Sequence, residues 1–223
     1  MEILFNFYHN FVYTYISLFS IVNPIGMSAV FLTMTKNFNF NERKLISKNI
    51  VIYGSILLIT VFFLGTYILH FFGIPLAALQ ISGGLIIFSA SWGMLHHDKK
   101  EDGTQLIEEK TVENVSFFPL TMPLTTGAGA IATTIALSAN INATEHSYVF
   151  LDYLAATFGI VGVLITTYFC YIFADKILGK LGKNGTIVVT KLTAFILISI
   201  GVTIMWSGIK TLILELITKT LLT

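Results

Sequence analysis

The chain has 223 residues, 55% of them hydrophobic and only 11% charged, and its formal net charge is +1. With a mean hydropathy of +0.81, it carries too little charge to solvate a water-soluble globule, so the bilayer is its expected solvent. The near-zero net charge gives no reason to expect nucleic acid as a partner, and the single cysteine, Cys170, permits no intrachain disulfide.

The opening residues, MEILFNFYHN, lack the basic region and small-residue cleavage site of a signal peptide, so the first span is expected to stay as both signal and anchor. That span, at roughly 11–35, contains SIVNPIGMSAVF at 20–31. An amide, a proline and a glycine, Asn23-Pro24-Ile25-Gly26, thus stand where the backbone should be fully hydrogen-bonded. No formal charge occurs between Lys48 and Asp98, a run long enough for two spans of about 20 residues, at 49–70 and 74–97. Between them His70-Phe71-Phe72-Gly73-Ile74-Pro75 predicts a tight turn. The longest polar stretch, DKKEDGTQLIEEKTVENV at 98–115, comes next, followed by spans at 117–139, 149–174 and 191–212.

Lysine and arginine set the orientation. Lys36, Arg43, Lys44 and Lys48 follow the first span, and Lys99, Lys100 and Lys110 follow the third. Lys176, Lys180, Lys183 and Lys191 lie between the fifth and sixth, while the opposite side has only Lys210 and Lys219. The positive-inside rule makes the first set cytoplasmic, with both termini outward. Three spans on each side of the 98–116 loop, an odd number, force the second half to enter in the opposite sense. The expected fold is therefore an all-α integral membrane protein, a single membrane domain of six transmembrane helices in two inverted three-helix repeats. The repeats are 1–97 and 117–223, joined by a cytoplasmic linker loop at 98–116.

If the halves are repeats, the fourth span should answer the first. It reads FPLTMPLTTGAGAIATTIALSA at 118–139, with Pro119 and Pro123 followed by Thr125, Thr126, Gly127 and Gly129. Proline removes a backbone donor and glycine lets the chain leave helical geometry, so both leading spans are expected to be broken at membrane depth. Freed N–H and C=O groups cannot face lipid and must be buried or line a polar cavity. A half-helix restarting after each break points its free N–H groups at an anionic group such as a carboxylate, and the carbonyls before the break suit an ammonium group or a cation. Asn23, Pro24 and Gly26 with Pro123, Thr125, Thr126, Gly127 and Gly129 are the candidate substrate-binding residues, suited to a small zwitterion.

VNPIG at 22–26 and FPLTMPLTTGAGAI at 118–131 resemble the signature patterns of the MarC family, also called the neutral amino acid transporter family of six-span membrane proteins. The resemblance covers essentially the whole chain and implies a bacterial inner-membrane protein for uptake or exchange of small neutral amino acids such as glycine and alanine, with or without ion coupling. Three positions depart from the family pattern: Ala29 and Ala128 stand where prolines are usual, and Gln80 stands where an arginine precedes Gly83-Gly84, although Lys191 occupies a comparable place before the sixth span.

The remaining polar residues read as structural. Asp152 and Asp175 fall at the predicted ends of the fifth span, where interface solvation is expected, and no acid lies deeper. That favours Na⁺ over H⁺ as the coupling ion, or a facilitator with no coupling ion, and no resident cofactor or metal is expected. His96-His97-Asp98 ends a span and does not have metal-site spacing. Trp92 and Trp206 read as interfacial anchors, and Gly83-Gly84 and Gly159-x-x-Gly162 as helix contacts. An intramembrane enzyme would need a catalytic set that the spans lack: no HExxH occurs, and no GxxxxGK[ST] is present to power a pump. The expected function is secondary transport by alternating access, the two halves rocking about a midplane site. A channel or an exporter for another small polar solute is the alternative. The oligomeric state has no signal in the sequence.

Overall fold

Backbone groups in lipid must be satisfied within their own segment, and the chain meets that demand with helices. The computed structural model describes residues 2–96, 111–142, 149–178 and 182–221, and among these every regular element is helical. In chain order they are α1 (Glu2–Val22), α2 (Pro24–Met34), α3 (Phe40–Phe71), α4 (Leu76–His96), α5 (Val112–Val115), a wide-turn π-helical segment (Ser116–Thr125), α6 (Ala128–Asn142), α7 (Val149–Ile172), α8 (Ala174–Leu178) and α9 (Gly182–Leu221). Five helices are long and apolar enough to cross a membrane, or six with the bent pair Val112–Thr125 and Ala128–Ile141 taken as one span. The expected all-α membrane architecture is therefore present.

Helix ends differ from the sequence expectation where charge was read as loop. Lys44 and Lys48, with Arg43, lie within the first turns of α3, which starts at Phe40. Asn39 caps that start: its side chain accepts from Glu42 N–H at 3.0 Å, and the Glu42 carboxylate accepts from Asn39 N–H at 2.7 Å. Likewise α9 begins at Gly182 rather than near 191 and runs 40 residues, about 60 Å at 1.5 Å per residue. The polar stretch 97–110, with Lys99, Lys100 and Lys110, and the residues His97 and Asp98 lie outside the described residues.

The turn between α3 and α4 is as tight as its glycine and proline predicted. Gly73 takes φ +65°, a left-handed cap. Its N–H reaches His70 C=O at 3.1 Å while Ile74 N–H reaches Leu69 C=O at 2.9 Å, a Schellman closure that satisfies the last carbonyls of α3.

Two apolar clusters fill the bundle on either side of the breaks. One joins Leu18 and Val22 of α1, Leu58 and Phe62 of α3, and Ile160 and Leu164 of α7. The other joins Met27 and Phe31 of α2, Ile46 and Ile50 of α3, Leu120, and Tyr171 of α7. Lipid is as apolar as these side chains, so close packing rather than expulsion of water holds them. Phe71, 83% exposed, is one of many apolar side chains left on the lipid-facing surface.

α4 and α9 form a closely packed pair at the edge of this bundle, and they have the smallest buried share of the spans. Their backbones nearly touch: a Cβ on Gly84 would lie 2.5 Å from Gly201 C=O, and one on Gly208 would lie 2.6 Å from Ala77 C=O. Small residues are what permit this approach. The pair rests on α6 through α4 and on α2 through α9. Gly83 faces the opening of α6, 3.1 Å from Ala128 C=O for an added Cβ, while Gly159 packs on Thr14 and Phe11 of α1. Both glycine motifs are helix contacts.

Asp152 departs from its expected place in interfacial solvent. It is 5% exposed, and its carboxylate accepts from the Asn10 side-chain amide at 2.6 Å. The Asn10 amide takes the place that interfacial water was expected to fill.

Candidate functional site

The two broken spans break in different ways. Between α1 and α2 the interruption is one residue. Asn23, which precedes a proline and so avoids right-handed helix, takes φ 43°, ψ 61°. The ladder runs on either side of it: Asn23 N–H to Phe19 C=O and Met27 N–H to Asn23 C=O, both 2.9 Å. Gly26 N–H donates to Asn23 Oδ1 at 3.3 Å, so the side chain caps the half-helix it opens. The Asn23 Nδ2 is buried without a hydrogen-bond partner. A Cβ on Gly26 would run into the Thr193 side chain of α9 and lie 2.8 Å from that Asn23 nitrogen. Gly26 is where the first span meets the sixth.

In the fourth span the interruption extends over ten residues. Phe118 (φ −124°, ψ 125°) and Met122 (φ −124°, ψ 122°) are extended, as residues before proline are sterically driven to be. The peptide bonds Phe118-Pro119 and Met122-Pro123 are cis. The chain then bends by 61° into α6. Hydroxyl groups satisfy the backbone through the wide turns: Thr121 Oγ1 donates to Ser116 C=O at 2.6 Å, Thr125 Oγ1 to Leu120 C=O at 2.7 Å and Thr126 Oγ1 to Thr121 C=O at 3.1 Å. Thr125 also meets the Tyr171 hydroxyl at 2.9 Å, and that ring stacks on Phe31 with centroids 4.5 Å apart. Tyr171 thereby ties α7, α2 and the wide-turn segment together.

A cavity of about 60 Å³ opens where this bend faces the α4–α9 pair. Pro123, Thr125, Gly127 and Gly129 form one wall. Met27 of α2, Ile87 and Ser91 of α4, and Leu197 of α9 close it, and none of the described residues lining it carries a charge. Four predicted site residues thus come together here. Asn23, Pro24, Gly26 and Thr126 do not line the cavity: Thr126 is fully buried, its methyl group 3.0 Å from where a Gly54 Cβ would be. Gly127 is required by crowding, because a Cβ there would collide with Pro123 C=O.

Ile87, Ser91, Met27, Tyr171 and Thr193 were not among the sequence candidates. Gly83-Gly84 was the available signal for the α4 wall, since Ile87 lies one turn beyond it. Of the departures from the family pattern, Ala128 lines the cavity, Ala29 is fully buried in α2, and Gln80 faces Gly208 in the α4–α9 contact. Among the described residues no cluster of three metal-ligating side chains occurs.

An all-helical, multi-pass membrane protein with a cavity at a broken span is the class these features define. The family model for MarC family integral membrane proteins matches residues 8–213, and the chain belongs to that family. Among its relatives, UPF0056 membrane protein YvbG of Bacillus subtilis is 32% identical over 209 residues, covering 89% of this chain and 93% of the relative. A UPF0056 membrane protein of Buchnera aphidicola subsp. Schizaphis graminum is 34% identical over 200 residues, covering 89% and 90%. One from Methanocaldococcus jannaschii is 31% identical over 202 residues, covering 90% and 96%. No solved structure matches the chain.

Proposed function

We propose that this protein is a secondary transporter, not an enzyme, that moves small neutral amino acids of the glycine and alanine class across the inner membrane by alternating access. The observation that carries the reading is the cavity at the start of α6, lined by Gly127, Ala128, Gly129 and Ala130. The first N–H groups of a helix have no intrahelical acceptor and sit at its positive end, which suits a carboxylate. Apolar walls from Met27, Ile87 and Leu197 suit a short aliphatic side chain. Na⁺ or H⁺ is the coupling ion in this reading, and both termini face outward.

The inverted repeat belongs to the same proposal. Exchanging each first-half helix for its second-half counterpart maps the α2–α9 contact onto α6–α4, and the contact of the first span with α7 onto that of the fourth with α3. Each pair occurs, which supports a two-fold relation.

The test is uptake of labelled glycine and alanine into liposomes containing the purified protein, with and without imposed Na⁺ and H⁺ gradients. Saturable uptake that is lost in folded Ala128→Leu, a larger side chain at a cavity-lining position that already carries a Cβ, supports the site. Flux that rises linearly with concentration favours a channel. No uptake beyond empty liposomes, with folded protein verified, rejects the amino-acid reading.

A further inference from the structure

Ile87 and Gly129 fit one another across the cavity wall. A Cβ on Gly129 would clash with Ile87 Cδ1 and lie 2.9 Å from its Cγ1, so the isoleucine tip fills the notch that the missing side chain leaves. Both residues line the cavity. The turn of α4 below is fixed by Ser91, 1% exposed, whose hydroxyl donates to Ile87 C=O at 2.7 Å. Met27 and Leu197 are buried members of an apolar cluster, and Ile86, which also borders the cavity, is 49% exposed and lies at its open side. Ile87, at the cluster's edge, is the large α4 side chain that meets Gly129 at the cavity wall without being locked in the core.

We propose that Ile87, seated against Gly129, is the specificity-determining residue, holding the cavity to ligands with a hydrogen or a methyl side chain. This rests on the transport reading above. A space of about 60 Å³ holds roughly four to six water-sized atoms at ~10–15 Å³ each, comparable with glycine or alanine, and the Ile87 tip narrows it at the Gly129 wall. Each methylene that fails to fit an apolar pocket costs about 10-fold or more in discrimination.

The experiment is liposome uptake of labelled glycine, alanine, valine and leucine by wild type, Ile87→Val and Ile87→Ala, with thermal unfolding of each. The valine-to-alanine uptake ratio is expected to rise by about tenfold or more in Ile87→Ala and by less in Ile87→Val. Gly129→Ala is expected to melt below wild type and to recover in the Gly129→Ala/Ile87→Ala double variant, because removing the isoleucine tip frees the notch. An active Ile87→Ala or Ile87→Val with unchanged selectivity overturns the assignment while leaving the transport reading intact. A double variant no more stable than Gly129→Ala overturns the fit itself. Failure of folded wild type to take up any of the four amino acids rejects the transport reading and this assignment with it.

Discussion

Asn23 carries two separable roles. It adopts a left-handed conformation and lends an oxygen to Gly26 N–H. Asn23→Gly keeps the first and loses only the second, at a few tenths of a kcal/mol. Asn23→Ala loses the cap, about 0.5–2 kcal/mol, and adds the left-handed penalty of about 1–2 kcal/mol. Thermal unfolding in detergent is expected to rank wild type slightly above Asn23→Gly and both well above Asn23→Ala. At the second break, Thr125→Val removes the partner of two buried groups, Leu120 C=O and the Tyr171 hydroxyl. Each loss of this kind costs about 1–3 kcal/mol. Tyr171→Phe removes one hydroxyl and leaves Thr125 bonded to Leu120, at about 0.5–1.5 kcal/mol, so its midpoint is expected to fall less in the same melt. The positions of both breaks were legible in the sequence because proline and glycine act locally. The fate of the threonine hydroxyls was not. Thr125 and Thr126 read as ligand donors, yet both hydroxyls donate to carbonyls five residues earlier, a spacing that exists only in the wide turns.

At the level of elements, the ends of helices were the least legible feature. The basic residues after the first span read as a loop because a charge count cannot tell a solvated helix turn from a loop. The overlooked signal was local: Asn39 and Glu42 have capping-box spacing. Arg43 in that first turn holds three elements together. Its Nε donates to Thr35 C=O at 2.9 Å and an Nη to Lys36 C=O at 3.3 Å, at the carboxyl end of α2. It also pairs with Asp175 of α8 at 2.9 Å. The aspartate is half exposed, so Asp175→Asn is expected to shift the unfolding midpoint little, as surface ion pairs do. Arg43→Ala also strips a donor from the fully buried Thr35, and is expected to lower the midpoint distinctly more. Equal effects of the two substitutions would locate the stabilisation in the ion pair rather than in the capped helix end.

Across the whole molecule, the spans could be placed from hydropathy, but their partners could not, because periodicity does not name the helix on the other side of a contact. The sequence suggested two halves rocking against one another. The packing sets one helix from each half, α4 and α9, side by side at the edge of the bundle, with the cavity between that pair and the broken spans. The moving unit expected from this packing is the pair. In a Cys170→Ala background, two disulfides separate the ideas. Gln80→Cys/Gly208→Cys joins α4 to α9, where the Cβ atoms would be 3.1 Å apart, and Gly83→Cys/Ala132→Cys joins α4 to α6, at 3.3 Å. Oxidation is expected to spare transport in the first variant and to block it, reversibly by reductant, in the second. Halves that rock would be arrested by both. The length of α9 has a consequence for where the protein works. Its apolar part, Ile187–Thr218, has 32 residues and spans about 48 Å, well beyond the roughly 30 Å of a typical hydrocarbon core. A span longer than the core is accommodated by tilting, kinking or local thickening of the bilayer, so acyl-chain length enters the energy difference between states that differ in the tilt of this helix. The same protein in thin and thick bilayers is therefore expected to turn over at different rates with its cavity unchanged.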